Sequence, residues 1–172
     1  MKREVRLTEK LLLAGFSFIL IFMIVQDWVP LGSLNDVYAI AEDRTTGELI
    51  TVTLVGFVQF LILTGVVLYF LGRRYPFLIK LWLIIHQMFI FVGALFAWWI
   101  PYFFGYGAAE RVERYDQMFG NTHSFLPPMN GIVPNTLHTI FHFILFICIL
   151  LTIYISITDS RKKKSTVVSL DR

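Results

Sequence analysis

Four long blocks of apolar residues constrain this chain more than any other feature. They occupy residues 11–29, 49–71, 81–104 and 136–157. Each is close to the roughly 20 residues that a helix needs to cross ~30 Å of hydrocarbon. Such long, uniformly apolar blocks are typical of spanning helices and differ from the alternating strands of a membrane barrel. The sequence therefore predicts an all-α membrane protein, a four-transmembrane antiparallel helical bundle in a single domain.

Basic residues are distributed unevenly between the segments that flank these blocks. Twelve of the 15 Lys and Arg residues lie before the first block, between the second and third, or after the fourth. The other loops hold only Arg44, Arg111 and Arg114. Because cytoplasmic loops are enriched in Lys and Arg, both termini, including a tail at 158–172, are predicted to be cytoplasmic. We expect a prokaryotic type of plasma membrane. The net charge of +3 is then a topology signal and gives no reason to expect a nucleic-acid partner.

The two predicted extracytoplasmic loops each contain a pattern typical of a short surface helix. The first follows Ser33, which lies three residues before Asp36 as in a capping box. The second covers residues 108–118, where charged and apolar side chains alternate with a helical period. Asn135 is expected to cap the fourth spanning helix. These segments predict two short extracytoplasmic surface helices over the bundle.

Small and polar residues inside the blocks predict how the helices contact one another. Gly56 and Gly65 in the second block, and Gly93 and Ala97 in the third, would permit close helix approach. Gln59 is an amide near the middle of an otherwise apolar block. Because an amide in hydrocarbon needs a hydrogen-bond partner, Gln59 is expected to face the interior.

His138 and His142 are the most specific polar pair in the sequence. Their spacing of four residues places both imidazoles on one helix face, as in some metal sites. His123 would be a third metal ligand, with Asp27, Asp116 and Glu113 as further candidates. The zinc-protease motif is absent, because no Glu follows the first histidine. His86 lies at a different depth, which argues against haem held by two histidines.

Three interpretations of the histidine pair stay open. The pair could bind a metal ion, or His142 could line a proton-coupled or quinone-coupled pocket with Gln59 and Trp99. Alternatively, both histidines could have a structural role, with hydrogen bonds to Asp27, Gln59 or loop carbonyls. Cys148 is the only cysteine, so an internal disulfide and the paired-cysteine chemistry of membrane thiol oxidoreductases are excluded. No phosphate loop or nucleophile elbow occurs in the sequence. The sequence does not identify a cofactor: a metal ion is a candidate, and haem is disfavoured.

Together these features predict a polar pocket that opens to the outer side. Its expected lining residues are Asp27, Gln59, Trp98, Trp99, Tyr102, Asn135, His138 and His142. A concave site with a few polar groups among aromatic rings is typical of ligand binding. We expect a binding or transport component for a small ligand, a lipid headgroup or a metal ion. The alternatives are an accessory subunit of a larger membrane complex and an intramembrane enzyme that uses His138 and His142. The expected partners are the lipid bilayer and either further copies of the chain or that larger complex.

Overall fold

The computed structural model describes residues 3–159 in full and residues 160–170 as the continuation of the last helix. It is all-helical over these residues, without strands. The helices have the following bounds: α1 (Leu7–Val25), α2 (Val37–Asp43), α3 (Thr46–Tyr69), α4 (Phe77–Ala94), α5 (Ile100–Phe104), α6 (Val112–Phe119) and α7 (Thr136–Leu170).

Four helical stretches are long and apolar enough to cross a membrane: Leu7–Val25, Thr46–Tyr69, Phe77–Phe104 and Thr136–Asp159. The first begins and ends four residues earlier than predicted. It starts at Leu7, directly after the extended residue Arg6, and it ends at Val25, where the backbone turns. The last continues as a helix past the predicted end at residue 157. Several basic residues used for the topology prediction lie outside the fully described residues: Lys2, Arg161, Lys162, Lys163, Lys164 and Arg172.

The core lies where α1 packs against its two main neighbours, α3 and α7, while α7 also packs against α4. Phe16 of α1, Leu63 of α3 and Leu145 of α7 are fully buried in this core. The main helix contacts therefore follow the order α3, α1, α7, α4. The chain-adjacent helices α3 and α4 lie at the ends of this order.

One end of the molecule, here called the basic end, is held by buried ion pairs. Asp159 accepts bonds from Arg6 at 3.0 Å and from the Tyr75 backbone N–H at 3.2 Å, and it lies 3.1 Å from Lys80. The fully buried Glu9 pairs with Arg3 at 2.6 Å. These contacts join the chain before α1, the turn between α3 and α4, and α7.

Gly72 makes the turn at this end possible. Its φ of +67° is favourable for glycine, and a Cβ there would lie 2.8 Å from the Arg3 carbonyl oxygen. The Arg3 N–H donates to the Gly72 carbonyl at 2.8 Å. The turn and the segment before α1 can therefore pack directly against each other.

A π-helical segment, Leu95–Trp99, interrupts the third apolar stretch between α4 and α5. Pro101 follows it and has no N–H, so the Ala97 carbonyl lacks its usual helical donor. The Tyr115 hydroxyl of α6 donates to this carbonyl at 2.9 Å. The backbone irregularity in the apolar stretch thereby anchors α6.

The opposite end, here called the cap end, is covered by α2 and α6, which pack against each other. Asp43 of α2 accepts bonds from Arg114 of α6 at 2.8 and 3.1 Å. The predicted start at Ser33 is wrong, because Asp36 is the N-cap and its carboxylate accepts from the Ala39 N–H. The predicted helix at 108–118 begins later, at Val112.

Candidate functional site

Asn135 fixes the start of α7 and the orientation of His138. Its side-chain oxygen accepts from the His138 backbone N–H at 2.9 Å, which confirms the predicted cap. The same oxygen lies 2.8 Å from His138 Nδ1. Because an amide oxygen only accepts, Nδ1 must carry a proton. In the neutral imidazole, Nε2 is then a hydrogen-bond acceptor.

Aromatic rings hold the His138 imidazole at the junction of α7 with the cap. The ring centroids of Trp98 and Phe119 lie 5.0 and 5.1 Å from that of His138. Phe22 of α1 contacts it edge-on at 5.9 Å. His138 therefore occupies a defined position between α1, the π-helical segment and α6.

A small polar cavity of about 150 Å³ lies beside His138 and is called the Asp27 chamber here. Its polar lining comprises Gln26, Asp27, Arg44 and His138, and its apolar lining comprises Ile40, Val52, Met118 and Phe119. It is therefore bounded by the turn after α1 and by α2, α3, α6 and α7.

Asp27 is the most deeply buried charged group of this chamber, with 9% of its surface exposed. Burial raises the pKa of its carboxyl above the usual range, against the opposing effects of Arg44 and Gln26. The Gln26 amide nitrogen donates to the carboxylate at a long 3.3 Å. The side-chain oxygen Oε1 of Gln26 is buried without a hydrogen-bond partner among the described residues. The Asp27 carboxylate thus lines the chamber with one long hydrogen bond among the described residues.

A larger opening of about 440 Å³, called the α3–α4 cleft here, lies between those two helices. Gln59 lines it, in agreement with its predicted interior position. Gly93 and Ala97 also line the cleft, and a Cβ at Gly93 would meet no atom within 4 Å. Their predicted role in close helix packing is therefore wrong for Gly93, and wrong also for Gly65, which is equally uncrowded. Gly56 does approach another helix, at Met23.

The Asp27 chamber and the α3–α4 cleft adjoin each other. Gln26 and Val52 line both of them. The cleft is mainly apolar, whereas half of the chamber's lining residues are polar. The two cavities together therefore offer a polar compartment that adjoins an apolar one.

His142 lies one turn further along α7 and is 4% exposed. It lines the α3–α4 cleft and also an aromatic groove of about 470 Å³ on α4, α5 and α7. Its Nδ1 has no hydrogen-bond partner among the described residues. The ring centroids of His138 and His142 are 6.2 Å apart.

The structure divides the eight predicted pocket residues between different sites. Asp27 and His138 line the chamber, while Gln59, Trp98 and His142 line the cleft. Trp99 instead lines the aromatic groove with His142. The Tyr102 hydroxyl donates to the Pro127 carbonyl at 2.9 Å, and Asn135 caps α7.

The predicted metal ligands are not grouped together. Among the described residues there is no set of three or more His, Cys, Asp or Glu side chains that could hold a metal ion. His123 is exposed and its Nδ1 lies 2.8 Å from the Thr136 hydroxyl. His138 is bonded to Asn135. The arrangement gives no support to a metal centre made from His123, His138 and His142.

Sequence reasoning missed Arg44 as a chamber residue and Gln26 as its link to the cleft. A signal for Gln26 was present, because it is a polar residue at the end of an apolar block beside Asp27. Arg44 had no such signal, since its position depends on how α2 packs against α6.

Comparison of the chain with protein-family models, curated proteins and solved structures gives no match.

Proposed function

We propose that this protein is a membrane-embedded binding component that takes up an amphipathic small molecule from the extracytoplasmic side. The polar group of the ligand would occupy the Asp27 chamber, and its apolar part would occupy the α3–α4 cleft. The observation that carries the proposal is the shared lining of the two cavities by Gln26 and Val52. A polar compartment that adjoins an apolar one matches the chemistry of an amphipathic molecule.

The proposal includes a topology. Both termini and the basic end would face the cytoplasm, while α2 and α6 would cover the extracytoplasmic end of a four-helix bundle. The distribution of Lys and Arg in the sequence supports this orientation. In it, the Asp27 chamber lies at the outer boundary of the apolar layer, where a lipid headgroup or a small amphiphile would reach it.

The proposed binding of the ligand's apolar part in the α3–α4 cleft can be tested with a substitution that fills the cleft. Gly93→Leu places a side chain into open space in the cleft, because a Cβ there meets no atom within 4 Å. Gly65→Leu is the matched control, since Gly65 is also in an apolar helix with open space but is not part of the cleft. Both changes raise helix propensity by roughly 0.5–1 kcal/mol, so neither should unfold the protein.

The measurement is native mass spectrometry of delipidated protein in detergent, after addition of equal amounts of dioleoyl phosphatidylethanolamine, phosphatidylcholine and phosphatidylglycerol. We expect one retained phospholipid per wild-type chain and per Gly65→Leu chain. Gly93→Leu should weaken retention at least about tenfold, equivalent to ~1.4 kcal/mol. Equal retention by the two leucine variants, or no retention by the wild type, would contradict the proposal.

A further inference from the structure

The Asp27 chamber contains more acceptor capacity than the protein itself satisfies. None of the ion pairs formed by the described residues includes Asp27. Its one described hydrogen bond, from Gln26, is 3.3 Å long. The tautomer of His138 makes Nε2 a second acceptor. The side-chain oxygen Oε1 of Gln26, another chamber residue, is buried without a hydrogen-bond partner among the described residues. Buried acceptors without donors are costly, so this group suits a ligand that brings several N–H donors.

Arg44 gives the same chamber a cationic group. Its nearest carboxylate, Asp43, lies 3.8 Å away and already accepts two close bonds from Arg114. The guanidinium of Arg44 is partly buried, with 28% of the side chain exposed. A planar guanidinium is well suited to bind a phosphate through paired hydrogen bonds.

From the positions of the Asp27 carboxylate and the Arg44 guanidinium, we infer that the chamber recognises a primary ammonium group joined to a phosphate, as in an aminophospholipid. The ammonium would lie at Asp27 and His138, and the phosphate at Arg44. This inference rests on the proposed function, because the acyl chains of such a lipid require the adjoining α3–α4 cleft. It adds the chemical class of the ligand to that function.

The chamber is poorly suited to the other common phospholipid headgroups. A quaternary ammonium has no N–H group, so it would leave the buried acceptors unpaired. Sites for quaternary ammonium usually surround it with aromatic rings, whereas Phe119 is the one Phe, Tyr or Trp among the described chamber residues. A glycerol headgroup brings no positive charge to Asp27.

The test compares dioleoyl phosphatidylethanolamine with its N-methyl, N,N-dimethyl and trimethyl derivatives, in which each step replaces one N–H donor with a methyl group and keeps the positive charge. Retention by the wild-type protein is measured by native mass spectrometry. We expect affinity to fall at each methylation and to be at least about tenfold lower for the trimethyl lipid, as for the loss of a charge-assisted hydrogen bond. Equal affinity across the series would overturn the inference.

Asp27→Asn should remove most of this preference while the protein still retains the trimethyl lipid. Glu42→Gln is the matched control, because it also neutralises a carboxylate at the cap end but Glu42 is exposed and outside the chamber. It should keep the wild-type preference. An unchanged preference in Asp27→Asn would contradict the assigned role of Asp27.

Two further outcomes separate this inference from the proposed function. If Gly93→Leu weakens retention but the methylation series gives equal affinities, the cleft binds lipid and only the headgroup assignment fails. If soluble phosphoethanolamine displaces the lipid, yet binds wild type and Gly93→Leu equally, the chamber recognises the headgroup alone. That second result would overturn the lipid as the source of the ammonium group.

Discussion

At the scale of single residues, Asp27 combines burial with an incomplete set of partners. A carboxylate that is nine-tenths buried usually has a strong ion pair or several donors. Asp27 has the long bond from Gln26 and the electrostatic influence of Arg44. Its protonation should therefore affect the stability of the cap end.

The first prediction concerns how stability depends on pH. Because burial raises the pKa of Asp27 in the folded protein, its contribution is fully present below the ordinary pKa of ~4 and is lost as pH rises through the folded pKa. Asp27→Asn, which stays neutral, should flatten this part of the profile and unfold at a higher temperature than wild type near pH 7. The unfolding temperatures of wild type and Asp27→Asn are measured in detergent at a series of pH values from about 4 to 7.

Asp43→Asn provides a control of opposite sign for that experiment. The hydrogen bonds from Arg114 lower the pKa of Asp43, so its contribution is present above the ordinary pKa and is lost as pH falls. This variant should lower stability slightly near pH 7, because the Arg114 side chain is 55% exposed and water screens its charge. If the unfolding temperatures of wild type and Asp27→Asn change in parallel with pH, Asp27 does not cause the pH dependence of stability.

At the scale of helices, the close packing of α1 against α7 depends on one small residue. A Cβ at Gly15 would overlap the Sγ of the buried Cys148. The glycine therefore permits an approach that any larger side chain would oppose. The lone cysteine of the sequence has a packing role at this contact.

The second prediction is a double-mutant cycle at this contact. Gly15→Ala should be less stable than Gly65→Ala by about 1–3 kcal/mol, because both gain helix propensity but only the first overpacks the core. Cys148→Ala in the Gly15→Ala background should recover most of the loss, since it removes the overlapping sulfur. Thermal unfolding of the four proteins of the cycle measures the coupling. Additive effects of the two substitutions would exclude the contact as the cause.

At the scale of the whole molecule, the two ends differ in how they are held. Ion pairs at Asp159 and Glu9 join the elements of the basic end. The cavities lie toward the cap end, where α3 and α4 enclose the cleft and the Asp27 chamber lies beneath α2 and α6. This difference agrees with a binding site on the side of the cap.

The third prediction tests the proposed topology. In a Cys148→Ala background, a cysteine is introduced at the exposed residue Glu42 of α2 or at the exposed residue Arg74 of the turn between α3 and α4. A membrane-impermeant maleimide should label the Glu42→Cys protein in intact cells and the Arg74→Cys protein only after permeabilisation. The cysteine-free protein should stay unlabelled. The reverse pattern would invert the topology and place the Asp27 chamber on the cytoplasmic side.

The sequence by itself determined the helical class and the local start of α7. Four apolar blocks of spanning length can satisfy their backbone hydrogen bonds in lipid only as helices or in a closed barrel, and their uniform apolarity favours helices. Asn135 could be identified as a cap because capping depends on residues within one turn. The interior position of Gln59 could also be predicted, since an amide in an apolar block needs a hydrogen-bond partner or a cavity.

Only the tertiary structure decided which helix faces pack against each other. Gly93 and Ala97 line an open cleft because the main packing order is α3, α1, α7, α4, although α3 and α4 are consecutive in the chain. Trp98 and Trp99 are adjacent, yet one lines the cleft and the other the aromatic groove. Likewise, Arg44 lines the same chamber as Asp27 although the two residues lie in different segments of the chain. Local sequence patterns fix the conformation and the faces of a helix, but the neighbour of each face depends on contacts between residues that are distant in the chain.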